Sequence, residues 1–444
     1  MGGTKPLEPS DVRRRRDEDG RGVVCVARDA FTRRAPRLTT VRPLEGIRVL
    51  DFTRVLAGPH ATRMLCDLGA QVIKVEPPVG DLTRFGQPRL NSLATYFIQQ
   101  NVGKLNVSLN FDDERAIDLA RQLADTSDIV IENFRPGVMA RLGLDFDTLS
   151  ARNPRLIYAS ISGYGATGPW VDRRAYAPVV NAEAGLTKHQ GDVRGGDYAN
   201  DPFSHGDVYT GMETAAALLA ALVQRERTGR GQFIDVSMAE TLLYVNEHAH
   251  DQLWQGDVPS DWIRSFQPAD YPVLTTRDGS VVVVSGHPAS KTNFAWFCAA
   301  MGRDDLANDP RFLDVPARLA HLPEFHAILQ AWAATVANAE EIERIFANHN
   351  LATGRLRSVA ELADTDWARE RGAITEVSDR AGGTVRIPQS PWKFSDADVR
   401  IRGVPKYRGE DNEFVLREIL GLDAETIARL QHDGVTSSHG PTQQ

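Results

Sequence analysis

The chain has 444 residues, enough for two domains at roughly 100–200 residues each. Hydrophobic residues at 42% and charged residues at 25% are ordinary globular usage, which excludes collagen-like and wholly disordered chains. The net charge of −8 argues against a chain that wraps nucleic acid, while leaving room for an anionic ligand on a local basic cluster.

Residues 1–43 are polar and Arg-rich, and Arg13 to Arg16 is followed by no apolar h-region, so this segment reads as a flexible extension and not a secretory signal. Regular structure starts at Leu44. A strand over 46–52, a helix over 57–68 with Pro59 in its first turn and a strand over 71–76 make one βαβ unit, the signature of a parallel sheet. The alternation continues with a strand over 104–109, a helix over 112–125, a strand over 128–132, a short helix over 138–142 and a strand over 156–161. A long Ala/Leu-rich helix over 208–226 and a strand over 232–237 follow.

The pattern changes after about residue 260. Residues 272–284 read as a hairpin turning at Asp278-Gly279, and helices are expected over 291–301, 323–335 and 339–348. Two more helices, 413–420 and 424–431, precede a polar stretch after 433 that is expected to be loose. The fold class is therefore α/β, with a doubly wound, Rossmann-like large domain over 44–264 and a smaller α+β domain over 265–365. Segment 366–444 is expected to return to the large domain.

Cys25, Cys66 and Cys298 form no CxxC pair, which reads as reduced thiols in a cytoplasmic protein. No segment reaches the ~18 apolar residues of a membrane span, and neither a membrane nor a nucleic-acid partner is expected. No GxGxxG, Walker, HExxH or paired-carboxylate pattern is present, so nothing points to NAD, a P-loop nucleotide or a metal site.

Four segments offer chemistry. Asp51-Phe-Thr-Arg-Val-Leu-Ala-Gly-Pro59 joins a strand end to a helix start, and is either a ligand-presenting turn or an ordinary βα turn. Glu132-Asn-Phe-Arg-Pro-Gly137, with Arg141 beyond it, places guanidinium groups near a second strand end, suited to phosphate oxygens or simply solvated. Ser162-Gly-Tyr-Gly-Ala-Thr-Gly-Pro169 is glycine-rich enough to let backbone approach something bound. In Ser204-His-Gly-Asp207, before the helix beginning near Val208, the Asp is either an N-cap or a nucleophilic carboxylate held ionised by the helix dipole. Gly206 and Gly211 would then admit a substrate, and His205 stands beside it as a candidate base.

In this order and spacing, these segments resemble the class III CoA-transferase family. Its members include formyl-CoA transferase, carnitine CoA-transferase and α-methylacyl-CoA racemase. The resemblance also takes in Leu68-Gly-Ala-Gln-Val-Ile-Lys-Val-Glu-Pro77 and Thr228-Gly-Arg-Gly-Gln232, and runs from about 44 to 430. It implies an interlocked homodimer and an Asp207 that attacks an acyl-CoA thioester. A mixed anhydride and then an aspartyl-CoA thioester would follow, before CoA passes to a second carboxylic acid. Acyl-CoA and a small carboxylic acid would be the substrates, with no tightly bound cofactor, ATP or metal. By position, Val55, Leu56 and Ala57 match contacts near the CoA thiol, and Asn133, Phe134 and Arg141 match nucleotide-side contacts. Arg174 matches a basic residue near the active site, and Lys74 belongs to the same motif set or simply pairs with Glu76.

The chain departs from the family in two places. Ala177 stands where racemase-type members, and some transferases, carry an acid, and the glycine-rich loop of formyl-CoA transferase has no counterpart near 240–275. Leu56 replaces a polar residue of formyl-CoA transferase and points to a less polar acyl pocket. Two other readings are an acyl-CoA racemase or isomerase using His205 and Glu183, and a CoA-binding subunit without catalysis.

Overall fold

A computed structural model describes residues 41–257 and 268–440; of the predicted extension 1–43, residues 1–40 lie outside the described residues. Strand β1 (Arg48–Asp51) runs through a tight loop into helix α1 (Ala57–Asp67), and β2 (Gln71–Glu76) returns parallel to β1 with Val49 opposite Val72. Helix α2 (Thr95–Asn101), β3 (Leu105–Ser108), α3 (Glu114–Asp125), β4 (Ile129–Glu132) and β5 (Ile157–Ser162) follow. The long helix α4 (His205–Thr228) and β6 (Phe233–Ser237) complete the run.

These six strands form one sheet in the order β3-β2-β1-β4-β5-β6, every pair parallel. Strand order reverses between β1 and β4, and the crevice above their carboxyl ends is where an open α/β sheet receives ligands. Alternation along the strands feeds two cores. Leu50, Ile73, Val75 and Val130 meet Leu119 and Leu123 of α3 on one face. Val49, Val72, Ile129 and Ile131 meet Leu65 of α1 and Leu218 of α4 on the other. Strands buried on both faces are continuous apolar runs, which is why they stand out in the sequence.

Val415, Leu416, Ile427, Leu430 and Val435 close the first face, in the same core as Leu50. The expectation of a loose stretch after 433 is therefore corrected up to residue 440. Val435 is fully buried and its C=O accepts the Asn110 N–H at 2.9 Å, while Thr436 and His439 bridge to Leu109 and Arg408. One apolar side chain plugs the edge of the core, and a single residue leaves no periodic signal.

A separate core is built from residues between Leu274 and Leu351. Strands β7 (Val273–Thr275) and β8 (Val281–Ser285) form the hairpin expected at Asp278-Gly279, with Gly279 at φ +86°, and β9 (Ala352–Arg355) joins β8 antiparallel. The helices Lys291–Met301, Leu322–Ala333 and Ala339–Asn348 press Phe297, Leu329 and Phe346 into it. An unforeseen hairpin, β10 (Ile374–Ser378) and β11 (Thr384–Pro388), packs Val377, Val385 and Ile387 with Ile98 of α2 and so anchors that helix. Among the described residues no helix is long and apolar enough to cross a membrane, and no group of three His, Cys, Asp or Glu side chains is placed to hold a metal ion.

Candidate active site

The carboxyl ends of β1, β4 and β5 and the first turn of α4 border a cavity of about 330 Å³. Most of the site residues expected from the sequence line it. Val55, Leu56 and Ala57 come from the loop after β1, Asn133 and Phe134 from the loop after β4, Arg174 from the connection after β5, and Asp207 from α4. Arg141 is not among the lining residues. It ends the short helix Val138–Arg141, and its Nη1 lies 3.5 Å from where a Cβ on Gly137 would sit. Arg135, which the sequence offered alongside it, lines the cavity instead.

Asp207 does not precede its helix. Helix α4 starts at His205, with Ser204 at the cap position, so Asp207 lies inside the first turn. The N-cap alternative is corrected by this placement. Its half-buried carboxyl is pushed up to about 6 by burial, against the backbone N–H groups of Ala57 and of Asp207 itself, which pull it down. Such a group is ionised at neutral pH but poorly solvated, the condition under which a carboxylate can act as a nucleophile.

The glycines around it serve protein packing. A Cβ on Gly211 would stand 2.6 Å from the Ala57 carbonyl oxygen, and one on Gly206 would stand 2.8 Å from Asn181 Oδ1. The expectation that they admit a substrate is corrected: they let α4 approach α1 and the helix Ala177–Glu183. In the third motif, a Cβ on Gly163 would fall 2.1 Å from the Ala175 Cβ, so the close approach there is made by the returning loop.

Among the described residues, four guanidinium groups, on Arg54, Arg135, Arg173 and Arg174, line the cavity with the single acid Asp207. Arg54 lies 4.8 Å over the Phe134 ring, and Arg173 lies 4.4 Å over Trp170 while pairing with Glu183. His205 is turned to other partners: Nδ1 pairs with Asp201, and the ring stacks on Tyr209 at 5.5 Å. Sequence reasoning missed Tyr96. Burial first, and then the charges of Asp207 and Asp81, push its phenol up to about 12, so it stays a proton donor beside the cavity. No motif marks it, and its place depends on the unforeseen hairpin that anchors α2.

Beneath the cavity lies a layer of buried charge. Lys74 pairs with Asp81 at 3.1 Å, and Glu76 is held by Arg84 at 2.7 and 2.8 Å, which corrects the alternative of a Lys74–Glu76 pair. The turn after β2 brings Asp81 to Lys74, a contact that spacing along a strand does not reveal. Burial pushes Glu132 up to about 7, opposed by the Ser160 hydroxyl and by the Phe134 N–H, which it accepts at 2.7 Å. Of the span 240–275, where a glycine-rich loop was not expected, residues 258–267 lie outside the described residues; Ala249–Gln252 is helical.

A model of CoA-transferase family III matches residues 44–412. The formyl-CoA:oxalate CoA-transferase of Streptomyces coelicolor is 34% identical over 418 residues, covering 89% of this chain and 100% of its own. The succinyl-CoA:glutarate CoA-transferase of Mus musculus is 31% identical over 404 residues, covering 90% and 92%. Among solved structures, Rv3272 of Mycobacterium tuberculosis in its orthorhombic form superposes with a TM-score of 0.74 at 33% identity, covering 85% of this chain and 99% of that one.

Proposed function

The chain belongs to CoA-transferase family III, and from that premise we propose that it moves coenzyme A from an acyl-CoA donor to a carboxylic acid acceptor, with Asp207 as nucleophile. The observation that carries this reading is the half-buried Asp207 carboxylate facing the Ala57 N–H in a cavity lined by four arginines.

The Asp207 carboxylate attacks the donor thioester carbonyl, and CoA leaves as the thiolate, giving a mixed anhydride. The thiolate then attacks the aspartyl carbonyl, releasing the donor acid and leaving an aspartyl-CoA thioester. The acceptor carboxylate attacks that thioester, forming a second anhydride and freeing the thiolate again. Attack of the thiolate on the acceptor's acyl carbonyl forms the new acyl-CoA and restores Asp207. An amide at Ala57 supports the oxyanion that develops on the aspartyl carbonyl in the second and third steps, where that carbonyl is attacked. The thioester's energy is kept in the anhydrides, so the cycle balances without ATP.

Arg54, Arg135 and Arg174 supply charge for the phosphates of CoA, and Val55, Leu56, Asn133 and Phe134 provide the remaining wall. Arg141, off the cavity, would meet the nucleotide end. Leu56, Ala177 and Met238 make the acyl end compact and weakly polar, which supports a small organic or fatty acid. A racemase would need protons shuttled by His205 and Glu183, whose engagement by Asp201 and Arg173 favours transfer over isomerisation. A cytoplasmic homodimer belongs to the same reading; exposed Leu243, Tyr244, Leu253 and Trp254 support a second copy as partner.

Intact-protein mass spectrometry after incubation with a panel of acyl-CoAs tests the proposal. Wild type should carry a hydroxylamine-sensitive CoA or acyl adduct that Asp207→Ala lacks. No adduct from any donor, with CoA still bound by both proteins, would rule out the covalent mechanism.

A further inference from the structure

The loop that presents Ala57 to Asp207 is held residue by residue. Lys74 Nζ donates to the Thr53 C=O at 2.8 Å. Asn133 accepts the Arg54 N–H and donates to the Arg54 C=O, both at 2.8 Å. The Val55 N–H points at the carboxylate of Asp81, 3.3 Å from Oδ1 and 3.2 Å from Oδ2. Gly58 then turns the chain so tightly that a Cβ there would lie 2.2 Å from that of Thr53.

Val55 itself has φ +68°. Four other non-glycine residues among those described have positive φ, namely Asn91, Ser92, Asn350 and Arg380, and none of them is β-branched. Left-handed backbone is unfavourable for valine, so the surroundings must hold it there. Asp81 is built for that task. It is fully buried, paired with the equally buried Lys74 at 3.1 Å, and fixed by the N–H and hydroxyl of Thr83, each at 2.9 Å. Two residues after Val55 comes Ala57, which lines the same cavity as Asp207 and whose N–H pulls the Asp207 carboxyl down.

We propose that Asp81 is a positioning residue of the transfer reaction, which holds Val55 in the left-handed conformation and so sets where the Ala57 N–H meets the Asp207 carbonyl oxygens. The inference rests on the proposed role of Asp207. Asp81 touches no substrate; it acts through the backbone of residues 55–57. An asparagine at this position has a single acceptor oxygen to share among Val55, Thr83 and Lys74, so the turn relaxes toward ordinary valine geometry and the Ala57 amide moves. Glycine at position 55 adopts positive φ without penalty, and would keep the turn without Asp81.

The test compares wild type, Asp81→Asn, Val55→Gly, and Asp81→Asn combined with Val55→Gly, using the most reactive acyl-CoA of the panel. Asp81→Asn should lower kcat by about 30-fold, below the 10²–10³-fold loss of removing an oxyanion donor outright, while KM for acyl-CoA changes less than about 3-fold. Adding Val55→Gly should recover at least about 10-fold of the lost kcat. Unchanged kcat in Asp81→Asn overturns the inference, as does a joint loss of kcat, CoA binding and melting temperature that Val55→Gly does not restore. If Asp81→Asn is not recovered folded, the double variant is read against Val55→Gly alone, because Val55 also lines the cavity: equal kcat supports positioning, and a folded double variant far slower than Val55→Gly overturns it. Absence of an adduct in wild type would instead refute the role of Asp207, so the two failures are distinguishable.

Discussion

Asn133 pairs with the backbone of Arg54 as a neighbouring strand would, its side-chain amide accepting the Arg54 N–H and donating to the Arg54 C=O at 2.8 Å each. The two residues lie just beyond the ends of β4 and β1, where strand order reverses, so the pair continues the sheet past its last backbone hydrogen bonds. It also sets Phe134 under the Arg54 guanidinium, 4.8 Å away.

That geometry leads to the first prediction. Asn133→Ala leaves both backbone groups of Arg54 without their partner, at a net loss of about 1 kcal/mol for each hydrogen bond. Part of that loss should appear as weaker binding, because the wall that faces CoA is no longer fixed. We expect the Kd for CoA to rise about 10-fold by titration calorimetry, equivalent to 1.4 kcal/mol. A Kd within about 2-fold of wild type would show that the clamp serves only the fold.

Much of this was legible in the sequence because it rests on long apolar runs. The six strands of the sheet appear within a residue or two of their expected positions, since the inner strands are largely buried on both faces and all six are bounded by polar turns. The order of motifs also led to Asp207, Leu56 and Asn133. Asp81, Tyr96 and Arg173 were not found. Asp81 acts through Lys74 and Val55, which the turn after β2 brings to it. Tyr96 is placed by a helix of seven residues, too short for a periodic signal, whose support lies some 280 residues downstream in Val377 and Val385. Side chains placed by a neighbour's neighbour carry no local pattern. The start of α4 lies three residues earlier than expected, 205 against 208, because His-Gly-Asp has no helical preference of its own and is drawn into the helix by the packing of Gly206 against Asn181, Leu242 and Ala177.

Glu132 gives a prediction about stability. It is buried, and its carboxyl lies near 7 in the folded protein against 4.5 ordinarily. An acid whose folded value is raised contributes stability that is complete below about 4.5 and is lost as pH rises through about 7. Glu132→Gln keeps an acceptor for the Phe134 N–H and removes the ionisation. The variant should match wild type near pH 5 and exceed it near pH 8, by roughly 3 kcal/mol at most. Thermal melts across that range check this, and parallel curves for the two proteins would contradict it.

Asp207 shifts stability in the same direction as Glu132, but there stability and activity move oppositely with pH. Its carboxyl is raised from 3.8 to about 6, so the folded protein loses stability as pH rises through about 6 and the group ionises. The reaction needs that ionised form. In wild type, kcat/KM for acyl-CoA should therefore climb as pH rises through about 6 and level off above it, while the melting temperature declines over the same interval. Asp207→Asn removes the ionisation while keeping an acceptor for the Ala57 N–H. It should be inactive, yet more stable than wild type at pH 7.5 by about 2 kcal/mol, after allowance for its partial exposure to solvent. The two effects separate this carboxylate from one that merely supports the helix, because losing a structural carboxylate would lower stability. An Asp207→Asn protein that melts below wild type at pH 7.5 would assign Asp207 to the fold, and the rising limb of the pH–rate profile would then need another titrating group.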